Sequence, residues 1–422
     1  MNEGAAKTNE GADASRPTLH APGRTGSPSE APSVLEIGLY FLRLGAVGFG
    51  GPVALANHMR TDLAEKRHWL TPQEYDEGLA IATACPGPLA YQLGIYCGYI
   101  LRGFSGALTA AIAFAIAPFA IVVTAGYLYV RFATAWEVRA LFYGIGPVIV
   151  ALIVKACWNL AQKTVRDDKI AWLIAAAACA ITLMVQKELT AIFLAAGVLG
   201  VFIFSASSRT PSHDGNHPQP EDTVTARGVT PFVGMLALWT SPAMTSKLFF
   251  FFFRTGLLVF GSGLVIVPFL KTYVVDQYHW LSQQQFLDSV AIGMMTPGPV
   301  VITATFVGYL LSGFGGAIAA TIGIFLPSFL FTVVGTPLLR RYRTNARLQG
   351  FVRGVTVAVV GVLVGTSYLV GKSVLADALT ITVGLTALAA TVYFKRVPDP
   401  LLVAAGAVVG LVAYPLIHPQ PL

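Results

Sequence analysis

The chain predicts an all-helical, polytopic membrane protein built from two homologous repeats, and three observations carry that prediction. Of 422 residues, 55% are hydrophobic and only 12% charged, with mean hydropathy +0.66; ordinary soluble domains are about a quarter charged. Many largely apolar runs exceed about 17 residues, long enough to cross a hydrocarbon core of about 30 Å as helix. The third observation is internal repetition. Arg43 and Arg254, His68 and His279, Glu77 and Asp288, and Pro86 and Pro297 are all separated by the same 211 positions. A constant offset over four separate features marks a duplication.

The elements follow in order. Residues 1–33 are rich in Gly, Ala, Ser, Thr and Pro and nearly free of large apolar side chains, so they read as a disordered tail. That tail carries acids as well as bases and leads into no cleavage pattern, which argues against a signal peptide. The first repeat, 34–206, offers spans near 34–56, 78–100, 106–131, 139–160, 169–186 and 189–205. A polar linker begins at Ser207, and within 207–247 the stretch from Val229 to Met244 is an apolar segment with no counterpart in the first half. The second repeat, 248–418, offers spans near 248–270, 287–311, 315–338, 351–370, 374–392 and 399–416. The total is twelve spans, or thirteen if the segment after the linker crosses.

That segment decides the symmetry. Six spans plus six give parallel repeats, whereas one extra central span inverts the second repeat relative to the first. Arg340, Arg341, Arg343, Arg347 and Arg353 fall on the same side as Lys395 and Arg396, and positive loops stay in the cytoplasm. In the first half the basic residues divide between the two sides and cancel. With the tail inside and the arginine loop inside, thirteen spans and inverted repeats are expected, and the C-terminus lies outside.

Composition excludes other classes. The formal charge of +7 sits in short loops, where it meets lipid headgroups rather than nucleic acid. Cys85, Cys97, Cys157 and Cys179 form no C-x-x-C pair and lie in apolar segments, so they read as small buried hydrophobes. Gly365 to Ser373 has a superficial P-loop look, but its spacing is wrong and its setting apolar. No soluble nucleotide domain, H-E-x-x-H or G-x-S-x-G is present. Nothing in the sequence calls for an enzyme, a cofactor or a metal.

The chemistry is expected at the repeated breaks. Gly48-Phe49-Gly50-Gly51-Pro52 and Pro86-Gly87-Pro88 in the first repeat match Phe260-Gly261-Ser262-Gly263 and Pro297-Gly298-Pro299 in the second. Proline removes a helix donor and clashes with the preceding turn, and glycine loosens the backbone. Broken helices paired between repeats mark the binding site of secondary transporters. Proline also suits a helix's first turn, so each Pro-Gly-Pro should open a half-helix whose free N–H groups favour an anion.

Arg43 and Arg254 lie inside apolar runs, where an arginine costs roughly 2.5–3.5 kcal/mol on insertion scales. Their repetition favours a shared anion-binding cavity; the competing reading is snorkelling to the interface. Glu77 and Asp288 are the acids matched across the repeat, each two to three turns before its Pro-Gly-Pro, and they suit proton coupling or a gate. His68-Trp69 and His279-Trp280 read as interfacial anchors.

Arg43 with Gly48-Phe49-Gly50-Gly51-Pro52, Trp69-Leu70-Thr71 with Glu74, and Pro86-Gly87-Pro88, repeated from Arg254 through Trp280-Leu281-Ser282 to Pro297-Gly298-Pro299, resembles the chromate ion transporter (CHR) family in its long, two-domain bacterial form. The resemblance covers about 34–416. It implies a chromate exporter of the inner membrane, built from homologous halves of opposite orientation, that confers chromate resistance. Export needs no ATP, because about 2.3 kcal/mol per charge per 100 mV pushes a dianion outward. A carrier of sulfate or another tetrahedral anion, and a non-transporting membrane assembly subunit, are the alternatives; a homo-oligomer is compatible with each.

Overall fold

The computed structural model describes residues 32–49, 51–132, 135–165, 168–185, 189–204, 244–259, 263–342, 345–393 and 397–417. The regular elements among them are helices. In the first repeat these are α1 (Val34–Val47), α2 (Gly51–Met59, prolonged by wider π-type turns over Arg60–Lys66), α3 (Pro72–Ala84), α4 (Leu89–Phe132), α5 (Trp136–Thr164), α6 (Lys169–Val185) and α7 (Leu189–Phe204). The second repeat runs α8 (Met244–Gly256), α9 (Ile266–Phe269, between a tight turn at Gly263–Val265 and π-type turns over Leu270–Gln277), and α10 (Gln283–Met295). It continues as α11 (Thr303–Tyr342, entered through Val300–Ile302), α12 (Ala346–Val374), α13 (Ala378–Tyr393) and α14 (Asp399–Ile417). Gly50, Gly261, the tail to residue 31 and the linker with its apolar segment up to 243 lie outside the described residues, and so does the choice between twelve and thirteen spans.

Local sequence explains the helix starts. Ser33 with Glu36, Thr71 with Glu74, and Ser282 with Gln285 each form a capping box, which satisfies two orphan backbone donors at once. His68 and His279 have φ of 50° and 51°. This left-handed residue ends the π-type turns and lets the next N–H reach back, Trp69 to Leu63 O at 2.9 Å and Trp280 to Val274 O at 2.8 Å. The repeated His-Trp pair is therefore a turn device in both halves, beyond the anchoring role the sequence suggests.

The apolar segments double back. Residues eight apart in a straight helix are separated by about 12 Å, yet in α4 Gly98 packs directly on the backbone of Gly106. Between them Gly103 adopts φ 60°, ψ −144°, a conformation essentially reserved for glycine. Gly313 does the same at φ 59°, ψ −150°, and Gly308 packs on Gly316. Each of α4 and α11 is thus two antiparallel arms, 89–101 with 104–132 and 303–311 with 314–342.

The shorter helices form hairpins too. Arg67, just beyond α2, lies 5.2 Å from the ring of Tyr40 at the middle of α1, and Trp69 lies 6.0 Å from it. Gly78 of α3 abuts Tyr96 of α4. In the second repeat Phe251 of α8 meets Trp280 at 5.8 Å, and Gly293 of α10 abuts Thr303. Arg102 Nε donates to Pro32 O at 2.8 Å, which places the entry of α1 and the exit of the 89–101 arm on one face. The segments near 34–56, 78–100, 248–270 and 287–311 therefore enter the membrane, turn at their breaks and leave by the face they entered. The cause is the Gly/Pro composition of the breaks, which lets the chain reverse instead of continuing as helix.

The two repeats are inverted. Phe104 meets Phe329 at 5.9 Å while Phe119 meets Phe314 at 6.0 Å, so the equivalent long arms of α4 and α11 cross antiparallel. The remaining helices are exchanged between halves. Gly144 of α5 packs on Gly406 and Gly410 of α14, and Gly354 of α12 packs on Gly200 of α7. Such small-residue contacts let backbones approach closely where lipid offers no hydrophobic drive. Phe204 lies under the Arg353 guanidinium at 4.3 Å, and Arg353 pairs with Asp168 at 2.9 Å. One face thus gathers Arg60, Lys66, Arg67, Arg102, Lys163, Lys169, Arg347 and Arg353; it is the basic face below.

Candidate functional site

The hairpin tips of the two halves meet in the middle of the molecule. Gly87 donates its N–H to Val259 O at 2.5 Å, and Gly298 donates its N–H to Gly48 O at 3.0 Å. Each Pro-Gly-Pro turn is therefore closed by the glycine break of the other repeat. Backbone groups that a helix would satisfy internally are satisfied across the pseudo-symmetry axis, as broken helices at membrane depth require. Both glycines have positive φ, 141° and 95°. A side chain at Gly87 would collide with Ser328 and Gln92, and one at Gly298 would crowd Pro118 at 3.3 Å.

A cavity of about 1590 Å³ reaches from the basic face to these tips. Its floor contains the first turns of all four returning arms: Gly51 and Pro52, Pro88 and Leu89, Gly263 and Leu264, and Pro299 and Val300. Helix N-termini carry free N–H groups and positive partial charge, so their convergence makes an anion-favouring floor. Gly48, Thr296 and Gly298 complete it. The rim includes Lys163 and Leu348, at helix ends on the basic face.

The expected residues divide. Gly51, Pro52, Pro88, Gly263, Gly298 and Pro299 line the cavity. Pro86, Gly87 and Pro297 form the turns behind it, with the Pro86 carbonyl accepting from Gln92 Nε2 at 2.6 Å. Arg43 and Arg254 are not brought to a common cavity. Arg43 is exposed on the outer side of α1. Arg254 donates to Thr190 Oγ1 at 2.6 Å and lies 5.4 Å from the Tyr273 ring. The reason is helical phase: the faces of α1 and α8 that pack inward are those of Phe41 and Leu44, and of Phe252 and Gly256.

The matched acids also diverge. Asp288 is buried, accepting from Tyr129 Oη at 2.6 Å and Gln284 Nε2 at 2.8 Å. Since Tyr129 belongs to the first repeat, the contact bridges the halves on the face opposite the cavity mouth, beside a pocket of about 370 Å³. Glu77 is half-buried on α3. Nearby, in the loop before α13, burial works to raise the Asp377 carboxyl, but hydrogen bonds from Tyr143 and Thr380 outweigh it and hold the group below its usual range.

Sequence reasoning missed Lys155, Asn159 and Asp399, which all line the cavity. Lys155 has no basic counterpart in the second repeat, so a search for matched residues passes over it. The available signal was a lone lysine inside an apolar run, which is costly unless it faces protein or water.

A family model described as "Chromate transporter" matches residues 35–201 and again 246–411. The chromate transport protein of Cupriavidus metallidurans is 41% identical over 398 residues, covering 93% of this chain and 97% of that protein. A probable chromate transport protein of Synechococcus elongatus is 38% identical over 387 residues, 90% and 95% of the two chains. The chromate transport protein of Pseudomonas aeruginosa is 27% identical over 393 residues, 89% and 91%. No solved structure matches. A doubled family match on a doubled, inverted helical fold has one reading: this multi-pass membrane protein is a transporter belonging to the chromate transporter family.

Proposed function

We propose that this chain carries chromate out of the cytoplasm across the bacterial inner membrane, and so confers chromate resistance. The observation that carries the reading is the convergence of four helix N-termini on the floor of a cavity open at the basic face. By the loop-charge rule that face is cytoplasmic, so the cavity is loaded from inside. The relatives' names supply chromate as the anion. Gly51, Leu89, Gly263 and Val300 open the four arms and turn backbone N–H groups toward it. Pro52, Pro88 and Pro299, which have no N–H to give, and Gly298 shape the breaks that start those arms, with Gly50 and Gly261 belonging to the same breaks. Arg254 enters the proposal as a support of the helix that leads into the second repeat's first break, and Arg43 as a snorkelling residue on the outer side of α1.

Sulfate shares chromate's charge and tetrahedral shape, and backbone donors read those two properties. Everted vesicles distinguish the cases. Chromate uptake driven by an inside-positive potential, with sulfate a weak competitor, supports chromate export. Equal competition makes the protein a general oxyanion carrier, and no uptake of either anion sinks the transport reading.

Asp288 and Glu77 are proposed to couple proton movement to transport, Asp288 because its bond to Tyr129 joins the halves where the cavity is closed. Asp288→Asn should flatten the pH dependence of chromate transport more than Glu77→Gln. Wild-type pH profiles in both variants, at matched membrane levels, would remove them from coupling.

A further inference from the structure

One polar stripe of the cavity wall is a single helix face. Lys155, Asn159 and Lys163 stand at four-residue intervals on α5 and all line the cavity. A 3.6-residue helix puts such positions in one row, here running from the rim inward. Lys163 at the rim is exposed. Lys155, more than two turns deeper, is half-buried, and its Nζ bonds Asp399 Oδ1 at 2.7 Å. Asp399 sits in the first turn of α14 and belongs to the other repeat.

This ion pair differs from its neighbours. Arg353 is held by Asp168 and by the Phe204 ring, and Asp76 is held by Arg60. Asp168, Phe204 and Arg60 are not part of the cavity wall. Among the described residues, Lys155–Asp399 is the ion pair with both members on that wall. The positions of α12 equivalent to Lys155 hold Gly365 and Thr366, so the charge is not a by-product of the duplication.

We propose that Lys155 receives the oxyanion inside the cavity, and that Asp399 occupies the ammonium until the oxyanion displaces it. The proposal rests on the anion-transport reading above. Three physical points support the exchange. An ammonium is a compact charge with three rotatable donors, suited to changing partners. A dianion attracts it more strongly than a single carboxylate at the same distance. The released Asp399 is not stranded, because it is 35% exposed and lies at a helix N-terminus, whose partial positive charge favours a carboxylate. The exchange also breaks a bond between the two repeats, so that filling the cavity loosens the contact the repeats must change to alternate access.

The test compares half-saturation for chromate in proteoliposomes containing wild type, Lys155→Gln, Asp399→Asn or Asp399→Glu, with calorimetric chromate binding to each purified protein. Lys155→Gln should raise the half-saturating concentration about tenfold or more, as loss of a charged hydrogen bond would. Asp399→Asn should lower it several-fold by removing the competitor, and Asp399→Glu should restore the wild-type value. A merely structural ion pair predicts something else, because breaking it from either side does the same damage. Half-saturation shifting in the same direction in Lys155→Gln and Asp399→Asn, or unchanged in Lys155→Gln, would overturn the proposal while leaving anion transport intact. Wild-type protein that neither binds nor moves chromate would overturn the reading beneath it.

Discussion

Arg254 is bonded to Thr190 and stacked beside Tyr273, whereas Arg43, its equivalent in the first repeat, is exposed on the outer side of α1. Side chains at matched positions need not share a role, because their surroundings differ after duplication. Arg254→Lys loses the guanidinium's second donor and its stacking plane, and should destabilise the protein by about 1–2 kcal/mol, seen as a lower melting temperature in detergent. Arg43→Lys should leave melting and transport unchanged, since lysine snorkels as well as arginine does. Equal losses in the two variants would contradict this division. The same asymmetry explains why the cavity's charges were hard to read from sequence. Repetition draws attention to Arg43 and Arg254, while Lys155 and Asp399 occur once and meet only in the folded chain.

At the scale of elements, the glycine contacts decide whether an apolar segment folds back. Gly98 on Gly106 and Gly308 on Gly316 bring two arms to backbone contact. Gly98→Val or Gly308→Val would drive a branched side chain into a carbonyl, and overpacking of this kind costs roughly 1–3 kcal/mol or more. Both variants should lose monodisperse, folded protein in detergent size-exclusion profiles. Gly315→Ala is the control, since a Cβ there meets nothing within 4 Å, and it should behave as wild type. The breaks themselves were legible, because Pro-Gly-Pro cannot continue a helix. What followed each break was not. A proline-glycine break is compatible with a kink that goes on across the membrane and with a turn that goes back, and local sequence does not separate them.

For the whole molecule, the re-entrant hairpins reassign the loops. Arg60, Lys66 and Arg67 join Arg102, Lys163 and Lys169 on one face, so the first repeat's loop charges no longer cancel and agree with the arginine-rich loop of the second. Single cysteines at Lys66 and Ser105 should be modified by an impermeant thiol reagent from the same side, and cysteines at Gln283 and Gly315 from the opposite side. A chain in which 34–56 and 78–100 were simple spans would label Lys66 and Ser105 from opposite sides. A cysteine at Asn159 should be reached from the basic face and protected by chromate. Labelling of Asn159 from the other face would mean that the cavity opens the other way.

The sequence by itself determined the membrane class, the helical content, the duplication and the positions of the breaks. Each depends on composition, on local backbone chemistry or on a repeat offset, all of which are readable along the chain. Tertiary structure alone decided that the broken helices reverse, how the inverted halves interlock, and that Lys155 meets Asp399 across 244 positions. These depend on which surfaces pack together. Phe104 on Phe329 and Gly87 on Val259 fix the orientation of the halves, and such contacts draw their energy from partners that the local sequence does not specify.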